Sequence, residues 1–161
     1  MTYETEDATF LIGSAATAAV SDTDHNDRWL FNPSLYRVKI NRAAGKFGEE
    51  LVAKLYDGVK ENRDGYDVRV GDDKIEVKTS FLTKSNDYWV NQIYYEKDGF
   101  AKDWTHLVFV FIGLDEITVW ECERPAESTF SKASSANGLQ WRGTIEDIPD
   151  CFSLVATIPT H

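Results

Sequence analysis

Sulfur and imidazole are scarce in this 161-residue chain, which has two cysteines, one methionine and three histidines. Cys122 and Cys151 lack metal-ligand spacing, and Cys122 falls inside a predicted strand, so both read as buried, reduced thiols rather than as a disulfide framework. His25, His106 and His161 are scattered, and neither a histidine-based metal site nor a Ser-His-Asp triad is legible. Long apolar runs are also missing. The best candidate, residues 10–20, is far shorter than the roughly 20 residues that cross a bilayer. It follows Glu4, Glu6 and Asp7, where a signal peptide would be basic. The expectation is a cytoplasmic protein with no membrane partner. Cations are the last shortage: 17 Lys and Arg against 27 Asp and Glu leave a net charge of −10. That balance excludes a broad surface that coats nucleic acid irrespective of sequence, because phosphate neutralisation needs Lys and Arg on the contact face.

What is present suits one globular domain: 42% hydrophobic and 13% aromatic residues over a length that buries a sizeable core. The charge is uneven. Residues 1–27 hold Glu4, Glu6, Asp7, Asp22, Asp24 and Asp27 with no Lys or Arg. They read as an acidic, Ala/Ser/Thr-rich and flexible extension with a short helix around 11–20. Residues 28–161 read as the domain, entered through Trp29, Leu30, Phe31, Pro33 and Leu35. Arg37, Lys39, Arg42 and Lys46 form a local basic stretch, either a solvated loop and helix start or an edge that contacts phosphates.

Along the domain, residues 43–58 predict a helix, with Phe47, Leu51 and Leu55 at i, i+4 and i+8, Val52 alongside and Gly58 as the stop. Residues 88–97, after Asn86 and Asp87, predict a second helix, although helix and strand patterns overlap there. Residues 106–112 are continuously apolar, as in a central strand covered on both faces. Residues 116–123 alternate and pair back on them across a turn at 113–115, and Pro125 ends that strand. Residues 139–141 and 152–158 supply peripheral strands. The order implies an α/β fold around a mixed sheet.

Between the two predicted helices, residues 65–79 alternate as a β-hairpin with one apolar face (Tyr66, Val68, Val70, Ile75, Val77) and one charged face (Asp67, Arg69, Glu76, Lys78). A two-residue loop at Asp72 and Asp73 would set Asp67 opposite Lys78 and Arg69 opposite Glu76. Such a face is either a pair of solvated ion pairs or two carboxylates and an amine converging on a divalent metal. Asp64 and Asp73 read as turn residues. Trp89, Trp104, Trp120 and Trp141 read as core or interface anchors.

This ordered set resembles the PD-(D/E)xK nuclease superfamily. Gly45-Lys46-Phe47-Gly48-Glu49 lies on the first helix, Tyr66-Asp67 opens one strand, Glu76-Val77-Lys78 sits on the next, and the match spans residues 45–123. The family's nominal Pro-Asp is Tyr-Asp here. The resemblance implies a restriction-endonuclease-like αβββαβ core, a mixed β-sheet flanked by helices. It also implies a Mg²⁺-dependent DNA endonuclease, with Mn²⁺ as a substitute ion, working as a homodimer. Asp67 and Glu76 would bind the metal with the Val77 carbonyl, and Lys78 would position the attacking water. The resemblance favours Glu49 as the helix acid, whereas helix position alone does not choose between Glu49 and Glu50. Gln92, in Val-Asn-Gln-Ile-Tyr-Tyr, would bind a phosphate, hold the water network or simply end a helix. Arg69 is a structural ion-pair partner or a phosphate contact. Two other readings remain at this point. One is a structure-selective resolvase or nuclease subunit that needs a partner. The other is a non-enzymatic, acidic DNA mimic, which has no need for Lys78 between two acids.

Overall fold

The computed structural model describes residues 1–20, 32–40, 42–63, 65–133 and 138–161. The expectations for His25, Trp29, Leu30, Phe31 and Asp64, and for the end of the acidic segment, lie outside these residues. Three helices come first: α1 (Thr5–Ala19), α2 (Pro33–Ile40) and α3 (Ala44–Leu55). The strands follow as β1 (Val59–Arg63), β2 (Tyr66–Val70), β3 (Asp73–Phe81), β4 (Tyr88–Ile93), β5 (Glu96–Lys97), β6 (Phe100–Ala101), β7 (His106–Ile112), β8 (Glu116–Glu123), β9 (Ser131–Lys132), β10 (Leu139–Gly143) and β11 (Ser153–Pro159). The main sheet runs β1-β2-β3-β7-β8-β11, and only β3 and β7 are parallel. The fold is therefore α/β around a mixed sheet.

The unbroken apolar run of β7 follows from this layering, because both of its faces are covered. Val108, Val110 and Ile112 meet the helices, beside Ile12, Leu35, Phe47, Leu51 and Val52. Leu107, Phe109 and Phe111 meet a second sheet of order β4-β10-β9. Phe111 stacks on Tyr88 of β4 with centroids 4.5 Å apart and on Trp141 of β10 at 5.5 Å.

A parallel pair needs a crossover, and helices usually provide it. Here the crossover from β3 to β7 is β4 followed by the β5–β6 hairpin, so the helix expected at 88–97, the second of an αβββαβ core, is replaced by strands. The sequence pattern explains the difference. Tyr88, Val90 and Ile93 face inward, and the step of three from Val90 to Ile93 is a β-bulge, marked by a register shift against β10 and a φ of +55° at Gln92. An inserted strand residue imitates helical spacing.

The acidic N-terminal segment is also integrated into the domain over its described part. Ala8, Ile12, Ala15 and Ala16 of α1 are buried in the main core, and small side chains let α1 approach α3 closely. Thr2 bridges to Thr157, with Thr157 N–H donating to the Met1 carbonyl at 2.8 Å. Cys122 is buried and Cys151 is exposed, so the expected burial holds for one thiol; both are free. Among the described residues no helix is long and apolar enough to cross a membrane.

Candidate active site

The β2–β3 hairpin pairs Val68 with Ile75, Arg69 with Lys74 and Val70 with Asp73. Its loop is therefore Gly71-Asp72, with φ +60° at Gly71, and not Asp72-Asp73 as expected. Glycine takes that backbone conformation with no steric cost, and it suits the first loop position of a II′ turn. The shift is two residues along β3, so each side chain keeps its face while the partners change. Arg69 faces Lys74 rather than Glu76, and its guanidinium bonds Glu61 of β1 at 2.7 Å. Carried one step further, the register brings Asp67 to Glu76 rather than to Lys78. Tyr66 leaves the predicted apolar face. It packs in the second core with Trp104, and its hydroxyl donates to Glu61.

At Asp67 the hairpin opens. In a two-residue hairpin, alternate pairs exchange both backbone bonds, so the ladder would next join Val77 to Tyr66. Instead Val77 N–H donates to Asp67 Oδ2 at 2.8 Å. Because both main-chain groups of such a residue point to the same neighbour, the Val77 carbonyl is turned toward this fork as well. On the same edge, Glu76 and Lys78 share one face of β3, as period two requires, with Lys78 Nζ 3.1 Å from Glu76 Oε1.

Helix α3 delivers acids from the other side. Gly48 lies against β3 so closely that a Cβ there would sit 1.8 Å from Thr79 Oγ1. This contact sets the first turns of α3, and with them Glu49 and Glu50, over the sheet. Both bond to Lys60 of β1, at 3.3 and 3.2 Å.

Burial pushes the Asp67 carboxyl up to about 6, and the Glu49 charge adds to it against the opposing Val77 N–H, Lys78 and Lys60. Glu76 is raised too, first by burial and then by Asp67, while Lys78 and Lys102 pull it down. Of the two helix acids, Glu49 is the one that acts on Asp67. Two half-buried carboxylates that repel one another, beside a carbonyl, form a donor set suited to a hard cation. Among the described residues no group of three or more His, Cys, Asp or Glu is gathered as a cation site. A cation here would rest on Asp67, Glu76 and the Val77 carbonyl, with water and substrate oxygens completing its shell.

Other candidates lie apart. Gln92 is exposed on β4 in the second sheet rather than at a helix start. Arg37 is buried on α2, Lys39 on the same helix stands 5.7 Å from the Phe81 ring centre, Arg42 takes φ +55° between α2 and α3, and Lys46 is exposed in the first turn of α3. The reading of the sequence missed Lys60 and Lys102. No local pattern marks either: Lys60 reaches the helix acids through the packing of α3 beside β1, and Lys102 acts on Glu76 from the segment after the β5–β6 hairpin. No family model matches the chain, and no curated protein matches it.

Proposed function

We propose that this chain is a divalent-metal-dependent endonuclease that hydrolyses DNA phosphodiester bonds, with a restriction-endonuclease-like core in which strands take the place of the crossover helix. The single observation behind this reading is the open fork of the hairpin, which gathers Asp67, Glu76 and Lys78 around the Val77 main chain. Asp67, Glu76 and the Val77 carbonyl would hold Mg²⁺ or Mn²⁺. When bound, such an ion neutralises phosphate charge and acidifies a coordinated water. Lys78, paired with Glu76 at 3.1 Å, orients the attacking water and donates to the phosphate as its charge grows. Glu49 acts through its bond to Lys60 and through its field on Asp67, adding to the larger effect of burial there. Two copies of the chain would supply one centre for each strand of a duplex.

Plasmid cleavage with Mg²⁺ tests the reading. Lys78→Ala lowers the rate by about 10²–10³-fold, the scale on which single charge-stabilising donors act, and Asp67→Asn abolishes cleavage. Undiminished cleavage by both variants would overturn the assignment.

A further inference from the structure

Strands β4 and β10 turn one face onto the aromatic core and the other outward. Exposure and cross-strand pairing place Trp89, Asn91 and Gln92 of β4 and Gln140 and Arg142 of β10 on the outer face. None of these is a carboxylate, in a chain with 27 acidic residues and a net charge of −10. The adjoining acid, Asp87, is held by Arg142 at 2.7 Å. The face is thus three amides, a guanidinium and an indole, groups that bond neutral polar edges and tolerate a polyanion.

The bulge creates this surface. A regular strand would send Asn91 and Gln92 to opposite faces. Here Val90 and Ile93 both point inward and the two amides between them both point out, at the cost of φ +55° at Gln92. A non-glycine residue rarely adopts that conformation, and such strain gathers where a side chain must be re-aimed. The neighbours are held in place. Trp89 Nε1 donates to Gln140 Oε1 at 3.2 Å, and the Arg142 guanidinium lies 5.8 Å from the Trp89 ring centre. The surface also adjoins the fork, because Trp89 N–H donates at 3.1 Å to Ser80 Oγ, and Ser80 is the next residue after Lys78 on that face of β3.

We infer that the outer face of β4 and β10 reads duplex DNA, with Asn91, Gln92, Gln140 and Arg142 meeting base edges in the major groove and Trp89 packing beside them. Asn and Gln pair bidentately with adenine and Arg with guanine, and the groove admits a two-stranded ribbon. The ligand rests on the nuclease reading; the surface does not. Gln92 then serves recognition, not the phosphate chemistry expected from the sequence.

The test is selection from a random-sequence duplex pool with Ca²⁺ in place of Mg²⁺, sequencing of the bound fraction, and anisotropy titration of the enriched duplex. Wild type is compared with Trp89→Ala, Asn91→Ala and Gln92→Gly, each checked by its melting temperature. The wild type enriches a defined sequence, Asn91→Ala and Gln92→Gly relax individual positions of it, and Trp89→Ala weakens binding by about 10- to 100-fold. Wild-type affinity and the same enriched sequence in all three folded variants would overturn the inference; Mg²⁺-dependent cleavage lost in Asp67→Asn would then leave the nuclease reading standing. Absence of any wild-type binding overturns it as well. Relaxed selection without cleavage under any metal removes the nuclease reading and keeps the reading surface.

Discussion

The Asp67 carboxylate accepts the Val77 backbone N–H at 2.8 Å where β2 and β3 part company. One side chain thereby takes a bond that the sheet ladder would have made, and the space it opens is where a second carboxylate and a lysine meet it.

That relationship ties stability to pH. The Asp67 pKa is raised from 3.8 to about 6, so the fold prefers its protonated form. Its contribution is fully present below pH 4 and is lost as pH rises through 6. Asp67→Asn keeps an oxygen to accept Val77 N–H and removes the titration. In EDTA, urea unfolding at pH 4.5, 5.5 and 7 should show wild type losing stability relative to the variant as pH rises. Adding Mg²⁺ at pH 7 should narrow the gap.

Gly48 and Thr79 define how closely α3 sits on the sheet. Gly48→Ala places a methyl 1.8 Å from Thr79 Oγ1 and should destabilise by about 1–3 kcal/mol, the usual range for overpacking. Thr79 Oγ1 is itself buried without a hydrogen-bond partner, so Thr79→Ala removes an unsatisfied hydroxyl and the closest contact, leaving the position-79 Cβ at 3.1 Å. Denaturation midpoints of the two single variants and the double variant should show non-additive rescue.

Lys60 neutralises two acids at once, with all three side chains only about a fifth exposed. Lys60→Ala leaves Glu49 and Glu50 facing each other beside Asp67. A loss of about 1–3 kcal/mol at pH 7 is expected, smaller at pH 5, below the raised Asp67 pKa of about 6, where Asp67 no longer adds its charge to the cluster. Thermal melts at the two pH values check the ordering.

Arg124 positions the segment that carries Lys102. Its guanidinium donates to the carbonyls of Lys102 at 2.9 Å and Trp104 at 2.6 Å and lies 4.3 Å from the Trp104 ring centre. Arg124→Lys retains charge but not the fork of donors or the planar stack. Amide exchange at Lys102, whose N–H bonds the Tyr95 carbonyl, should accelerate in this variant while the β7 amides stay protected.

Helix α3, the apolar β7 and the alternating β8 were readable because their hydrophobic periods are long and unbroken. The hairpin faces were readable too, since a two-residue slip preserves the alternation; the partners were not, because only the conformational preference of Gly71 separates one loop from the other. Strand β4 was hidden by its bulge. The short helix expected around 11–20 is α1, longer at Thr5–Ala19 and buried along one face, which was not readable because an alanine-rich face carries a weak apolar signal.

By itself, the sequence determined which residues line each side of the hairpin, Tyr66 apart, and that Asp67, Glu76 and Lys78 share a charged face, for period two follows from strand geometry alone. Tertiary structure decided the rest. The opening of the hairpin at Asp67 and the bridge through Lys60 arise where neighbouring elements meet, and the approach of Glu49 over Gly48 and the second sheet over Phe109 and Phe111 arise between segments distant in the chain. Their contacts depend on which surfaces pack together, and no local pattern records that.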